Sequence, residues 1–235
     1  MEAFVRQRVS WGPASPVIGR PFAPKAEAEL MPGIVAAALT IIRRGCRVHL
    51  LPELRGPHGV ADLVVLQARD SVLANRLATG VPPLLNQLDA AIVATLAPRE
   101  PKTLYEVSLE LRCEERHLAP RVERLRRIGA IGITGMGFVR PAALAPLGRL
   151  YAFEAKVTDW KKGCLQAADY AAWADSATFA TGRLPRDRSA VLELATTLRL
   201  GVIEDRTWVR QPELEAPTAP MRLWASEHAL AALTR

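Results

Sequence analysis

Asp62, Glu154 and Lys156 are side chains whose types and spacing could do chemistry together. In "LYAFEAKVTDW" side chains alternate across a strand, so Phe153, Ala155 and Val157 point one way and Glu154 and Lys156 the other. An acid and an amine thus share a face. Asp62 opens the apolar run "ADLVVL", with Leu63 and Val65 on the opposite face. An Asp in front of such a run is costly to bury unless it binds a cation or a partner. Together Asp62 and Glu154 supply two hard oxygen donors. These suit Mg²⁺ or Mn²⁺, since Mg²⁺ keeps several waters and binds through one or two carboxylates plus substrate phosphate. Lys156 is placed to orient, or help deprotonate, a water on that metal, which lowers the water's pKa and neutralises charge on the phosphate under attack. Phosphodiester hydrolysis is the reaction such a group serves.

The elements that must position these residues can be read in the flanks of the chain. "PKAEAELMPGIVAAALTIIRRG" carries Ile34, Val35, Ala38, Leu39 and Ile42 at helical spacing, with Gly45 as a stop. "CRVHLLPEL" and "VADLVVLQ" are apolar runs of strand length around the turn "RGPHG", which predicts a β-hairpin. Beyond "FEAK" come a helix with Gln166 and Tyr170, a strand at "ATFAT", a helix at "SAVLELATTLRL" and a strand pair at "GVIED" and "TWVRQ". These predict an α/β fold around a mixed sheet. The tail reads as a Pro-rich linker and a terminal amphipathic helix.

Between residues 82 and 149 the pattern changes. "PPLLNQLDAAIVATLA" has a helical stripe, "KTLYEVSLELR" has Thr103 as N-cap and Glu106 at the capping-box position, and "EERHLAPRVERLRRIG" is an Arg-rich third helix. "AIGITGMGFVRPA" then predicts two short strands around a Gly-rich tip. Three helices and a β-wing are the layout of a winged helix-turn-helix, whose third helix enters the major groove. Arg116, Arg121, Arg124, Arg126 and Arg127 favour DNA as the partner, with Glu114, Glu115 and Glu123 diluting the basic face. The alternative is a helical unit used for protein contacts.

Taken together, Asp62 in "GVADLVVL", Glu154-Ala155-Lys156 in "FEAK" and Gln166 with Tyr170 in "LQAADY" resemble the PD-(D/E)XK nuclease superfamily, the restriction-endonuclease-like fold. The last pair is similar to the Q-x-x-x-Y motif of RecB-type nucleases. Four apart, the two share a helix face, with Trp173 close by. The resemblance implies a metal-dependent DNA nuclease in which Asp62 and Glu154 hold Mg²⁺, Lys156 positions the water, and Gln166 and Tyr170 support the site. It also implies an acid on the first helix, with Glu29 the first choice and Glu27 the second. About ninety residues separate Asp62 from Glu154, where the family has a short connection, and an inserted winged helix at a loop tip accounts for them. The expected organisation is a restriction-endonuclease-like mixed sheet flanked by helices (1–81 and 150–211), interrupted by the winged helix (82–149), with a linker and C-terminal helix (212–235).

Composition bounds the remainder. A net charge of +7 and a pI near 9.8 point to a polyanionic partner. Arg183, Arg186 and Arg188 in "GRLPRDRS" could clamp a DNA backbone. Cys46, Cys113 and Cys164 are odd in number and far apart, which supports neither a disulfide framework nor a CxxC zinc site and suits a reducing cytoplasm. His49, His58, His117 and His228 make no zinc spacing, and His58 reads as a turn residue. No apolar run reaches bilayer-spanning length and the N-terminus lacks a signal-peptide core. Without GxxxxGK[ST], ATP hydrolysis is not expected within the chain. Cutting both strands usually requires two active sites, so a homodimer is a further expectation, with the terminal helix as a candidate contact. The competing reading is a DNA-binding or assembly protein that uses the same sheet as a scaffold.

Overall fold

The computed structural model describes residues 9–11, 25–41, 43 and 45–234. The expected hairpin forms from β2 (Arg47–Arg55) and β3 (Val60–Ala68), after a short β1 (Val9–Trp11) that pairs parallel with β2. Its turn is closed by the Gly56 N–H donating to the Gly59 carbonyl at 3.1 Å. Gly59 sits at φ +82°, a conformation that favours glycine.

β6 (Gly148–Ala155) lies antiparallel beside β3, and β7 (Ser176–Thr181) parallel beside β6. β8 (Gly201–Glu204) follows parallel and β9 (Thr207–Arg210) antiparallel, giving a seven-stranded mixed sheet in the order β1-β2-β3-β6-β7-β8-β9. The parallel steps need crossover helices. These are α7 (Trp160–Tyr170), capped by the Asp159 side chain on the Lys162 N–H, and α8 (Arg188–Thr197), capped by Asp187.

Both faces of the sheet are covered. Leu63, Val65, Tyr151 and Phe153 pack with α2 (Met31–Leu39), while Val64, Leu66, Leu150 and Ala152 pack with α7 and α8. The first helix differs from the continuous one expected. α1 (Lys25–Ala28) ends in a turn at 29–30, and α2 starts with Pro32 in its first turn. Proline disfavours a helical residue before it and has no N–H to continue the ladder, so the chain breaks there and restarts. Ile42, the last residue of the expected stripe, lies outside the described residues, as do 1–8 and 12–24, where the N-terminal reading fell.

Leaving the sheet after β3, the chain forms α3 (Asp70–Ala78), α4 (Gln87–Thr95), α5 (Leu104–Leu111), α6 (Glu115–Arg127) and a ribbon of β4 (Gly132–Thr134) and β5 (Gly137–Val139), then returns as β6. α3 was not anticipated. The capping box at Thr103 and Glu106 is present with both bonds, and Asn86 caps α4. Lys102 bridges Phe138 and extends the ribbon. This unit has its own core of Ile92, Val93, Val107, Leu118, Val122 and Leu125.

The tail is not an amphipathic helix set apart from the rest. α9 (Ala219–Leu233) is buried on several sides: Leu223 completes the core of the three-helix unit, and Ala225, Ala229 and Leu230 join the sheet core. Its Glu227 is fully buried and makes a two-pronged pair with Arg76 of α3, Nε to Oε1 at 2.9 Å and Nη2 to Oε2 at 2.6 Å. Among the described residues, no helix is long and apolar enough to cross a membrane.

Candidate active site

β3 and β6 are in register at Leu63 with Phe153, so one further step along the ladder brings Asp62 opposite Glu154. Both have the parity of the residues facing α7, as alternation predicts. Asp62 Oδ2 accepts the Ala155 N–H at 2.8 Å, which ties the start of β3 to the end of β6. Glu154 is completely buried. Its Oε1 faces the Lys156 ammonium at 2.8 Å, and its Oε2 lies 2.6 Å from the Tyr170 hydroxyl, which also meets the Val60 carbonyl at 2.8 Å. Tyr170 therefore fixes the orientation of the carboxylate from α7.

Glu27 completes the cluster, with its carboxylate 3.4 Å from Lys156 Nζ. The first-helix acid preferred from sequence, Glu29, is instead exposed in the turn after α1. The break at Pro32 explains the exchange: with α1 ended at Ala28, Glu27 faces the sheet and Glu29 does not. Gln166 lies one turn from Tyr170 on α7, half-buried, beside the same cavity as Tyr170.

Electrostatically, Asp62, Glu154 and Glu27 surround one lysine. Burial, and then the charge of Asp62, push the Glu154 carboxyl above the ordinary glutamate value, against the pull of Lys156 and Tyr170. For Lys156 burial works downward, but Glu154, Asp62 and Glu27 outweigh it, so the amine is held above its ordinary value. It is an ammonium in this arrangement, a donor rather than a base. Among the described residues, no group of three or more His, Cys, Asp or Glu side chains is gathered closely enough to hold a metal ion; Asp62, Glu154 and Glu27 are gathered about Lys156 instead.

Two predictions follow from this geometry. Because the folded Glu154 pKa is raised, the folded state binds the extra proton, and stability falls as pH rises from about 4.5 through the folded value. Urea midpoints of the parent should show that fall, and Glu154→Gln should flatten it. The second concerns Gly163 on α7, where a Cβ would come 2.6 Å from Phe179 Cε2 and 2.9 Å from the Lys156 Cγ. Gly163→Ala should lose about 1–3 kcal/mol in a denaturant titration, although alanine is the better helix former.

The arginines expected to meet nucleic acid divide into three groups. Arg121 and Arg124 are turned onto Asp89 of α4, a buried carboxylate that sequence reading passed over inside an apolar stripe. They brace α6 against α4. Arg116 pairs with Glu114 at 2.6 Å, and Arg126 and Arg127 pair with Glu123 at 2.8 and 3.6 Å, all exposed. Such surface pairs are worth about 0–1 kcal/mol. Arg183 and Arg186 are exposed in the loop before α8, with no ion pair among the described residues, while Arg188 meets Glu204 at 2.8 Å.

Comparison of the chain with family models, with curated proteins and with solved structures gave no match.

Proposed function

We propose that the chain is a metal-dependent DNA nuclease of the PD-(D/E)XK type, carrying a winged helix at 82–149 that brings it to DNA. One observation carries the reading: Asp62, near the start of β3, and Glu154, near the end of β6, stand opposite each other on neighbouring strands of one sheet, with Lys156 and Tyr170 on the second carboxylate. The placement of Asp62 on β3, Glu154 on β6 and the Gln166–Tyr170 pair on α7, strand, strand and helix in chain order, supports it further.

Asp62 and Glu154 would hold Mg²⁺ or Mn²⁺, with Glu27 as the third acid. Bound there, the cation supplies a water of lowered pKa and offsets charge on the phosphate. Lys156, as an ammonium, donates a hydrogen bond that orients the attacking water or a phosphate oxygen. Tyr170 holds the Glu154 carboxylate still, so its reorganisation does not add to the barrier.

For the 82–149 unit, three helices, a ribbon and the bridge at Lys102 support the winged-helix reading. Arg116, Arg126 and Arg127 on α6 would exchange their surface carboxylates for phosphates, joined by Arg183 and Arg186. Arg121 and Arg124 would stay on Asp89. A homodimer for double-strand cutting would use a surface other than α9, whose apolar residues are already buried.

A second reading, a non-catalytic DNA-binding or assembly protein, is favoured by the engagement of both Glu154 oxygens by Lys156 and Tyr170. The two separate on cleavage of supercoiled, linear and single-stranded DNA in Mg²⁺ and in Mn²⁺. The nuclease cuts at least one form and Glu154→Gln does not; a protein that binds DNA and cuts none of them is the scaffold.

A further inference from the structure

A cavity of about 580 Å³ opens between the β2–β3 turn and the end of α7, with Tyr170, the partner of Glu154, in its wall. That is within the range of small-ligand sites, about 300–1,000 Å³. Tyr170 belongs to both places: its hydroxyl holds Glu154, and its side chain forms part of the cavity wall with Val60. Ala168 and Ala172 make the wall small and apolar, and Gln166, Asp169 and His58 bring hydrogen-bonding groups.

The lining selects its ligand. No lysine or arginine among the described residues lines the cavity, and Asp169 adds negative charge, so a phosphate is disfavoured there. Asp169 accepts hydrogen bonds, and the Gln166 Oε1 is a buried acceptor with no partner among the described residues. Both match an exocyclic amine or a ring N–H. His58 is exposed and its ring stands at 89° to that of Trp224, with centroids 6.1 Å apart, which steadies an imidazole at the mouth as a stacking surface. A flat, neutral, donor-edged group is what these features receive.

We infer that this cavity takes one unpaired nucleobase of a DNA strand whose phosphate lies at Asp62 and Glu154, an inference that rests on the nuclease reading. A base inside a duplex is stacked between neighbours and cannot enter such a pocket, so the substrate is single-stranded or splayed at the cut.

The test is binding, read without cleavage. Fluorescence anisotropy with Ca²⁺ in place of Mg²⁺ would compare a labelled single strand of about twelve A and C nucleotides with its twin carrying abasic sites at the central positions. The phosphates are the same, and gels check that both strands stay intact. The base-bearing strand should bind about tenfold tighter. Asp169→Ala and His58→Ala, both at exposed positions, should bring that ratio to near one with an unchanged melting temperature. Equal affinity for both strands, a ratio that both variants leave intact, or no binding to either strand would overturn the inference. A protein that shows the base preference and cuts nothing in Mg²⁺ keeps the pocket and loses the nuclease. One that cuts and ignores the bases keeps the nuclease and loses the pocket.

Discussion

Glu227→Ala and Arg76→Ala should each lower the unfolding free energy by about 3–5 kcal/mol, the cost of leaving one member of a buried ion pair without its partner. Every donor of the Arg76 guanidinium is used. Besides Glu227, it reaches the Val81 carbonyl at 2.7 Å, the Thr79 hydroxyl at 3.1 Å and the Pro82 carbonyl at 3.2 Å. Glu227 in turn accepts the Leu84 N–H at 2.9 Å. The pair thus fixes the segment that leads from α3 to the three-helix unit, and removing either side chain strands backbone groups as well as a charge. The loss is large against a typical total of about 5–15 kcal/mol. Arg76→Met with Glu227→Leu should recover part of it, because no unpaired charge remains. Recovery should be incomplete, since the Val81 and Pro82 carbonyls and the Leu84 N–H still lack partners, at about 1–3 kcal/mol each. Guanidinium chloride midpoints for the two single variants and the double variant measure this. Single variants within 1 kcal/mol of the parent, on the same order-of-magnitude scale, would show that water reaches the pair.

This hub also shows where sequence reading stopped. Local signals carried well: the Gly-Pro turn predicted the hairpin, Thr103 and Glu106 predicted a capped helix, and the alternation in "FEAK" put Glu154 and Lys156 on one face. α3 carries only Val72 and Leu73, partly buried, toward the sheet core. Its one fully buried residue is Arg76, whose partner lies 151 positions later, so the segment's own residues do not show what anchors it. Asp89 sits in an apolar stripe and reads as a break in it, until Arg121 and Arg124 arrive from another helix. Glu27 and Glu29 are equivalent in the sequence. Pro32 sits a few residues on and already marked a break, and reading it as one would have separated them. The tail reads as an amphipathic helix, and its polar residues Ser226 and Glu227 are nonetheless inside. Ser226 accepts the Leu147 N–H at 2.7 Å and Glu227 binds Arg76, so both are buried with partners.

The site itself should separate activity from stability. On the proposed nuclease reading, Glu154→Gln should cut metal-dependent cleavage by about a hundredfold or more. It should do so in a protein at least as stable as the parent at neutral pH, because the carboxylate it removes is buried beside Asp62 with its pKa raised. Lys156→Ala should reduce cleavage by about 10²–10³-fold, the scale for losing one oriented donor to developing charge. Its effect on stability has the opposite sign. Asp62, Glu154 and Glu27 would then have no ammonium among them, the Glu154 pKa would climb further, and the pH window over which stability falls would widen upward from about 4.5. Lys156→Ala should therefore be less stable than the parent at neutral pH and approach it on acidification. In the parent, the contribution of Lys156 is complete below about 10.5 and is lost as pH rises through its raised folded value. Cleavage assays and urea midpoints at several pH values on the same three proteins give both readouts. If both variants cut as well as the parent, Glu154 and Lys156 lose their roles. If both lose cleavage but are destabilised alike at every pH, the cluster is an ordinary structural ion pair and the activity was lost with the fold.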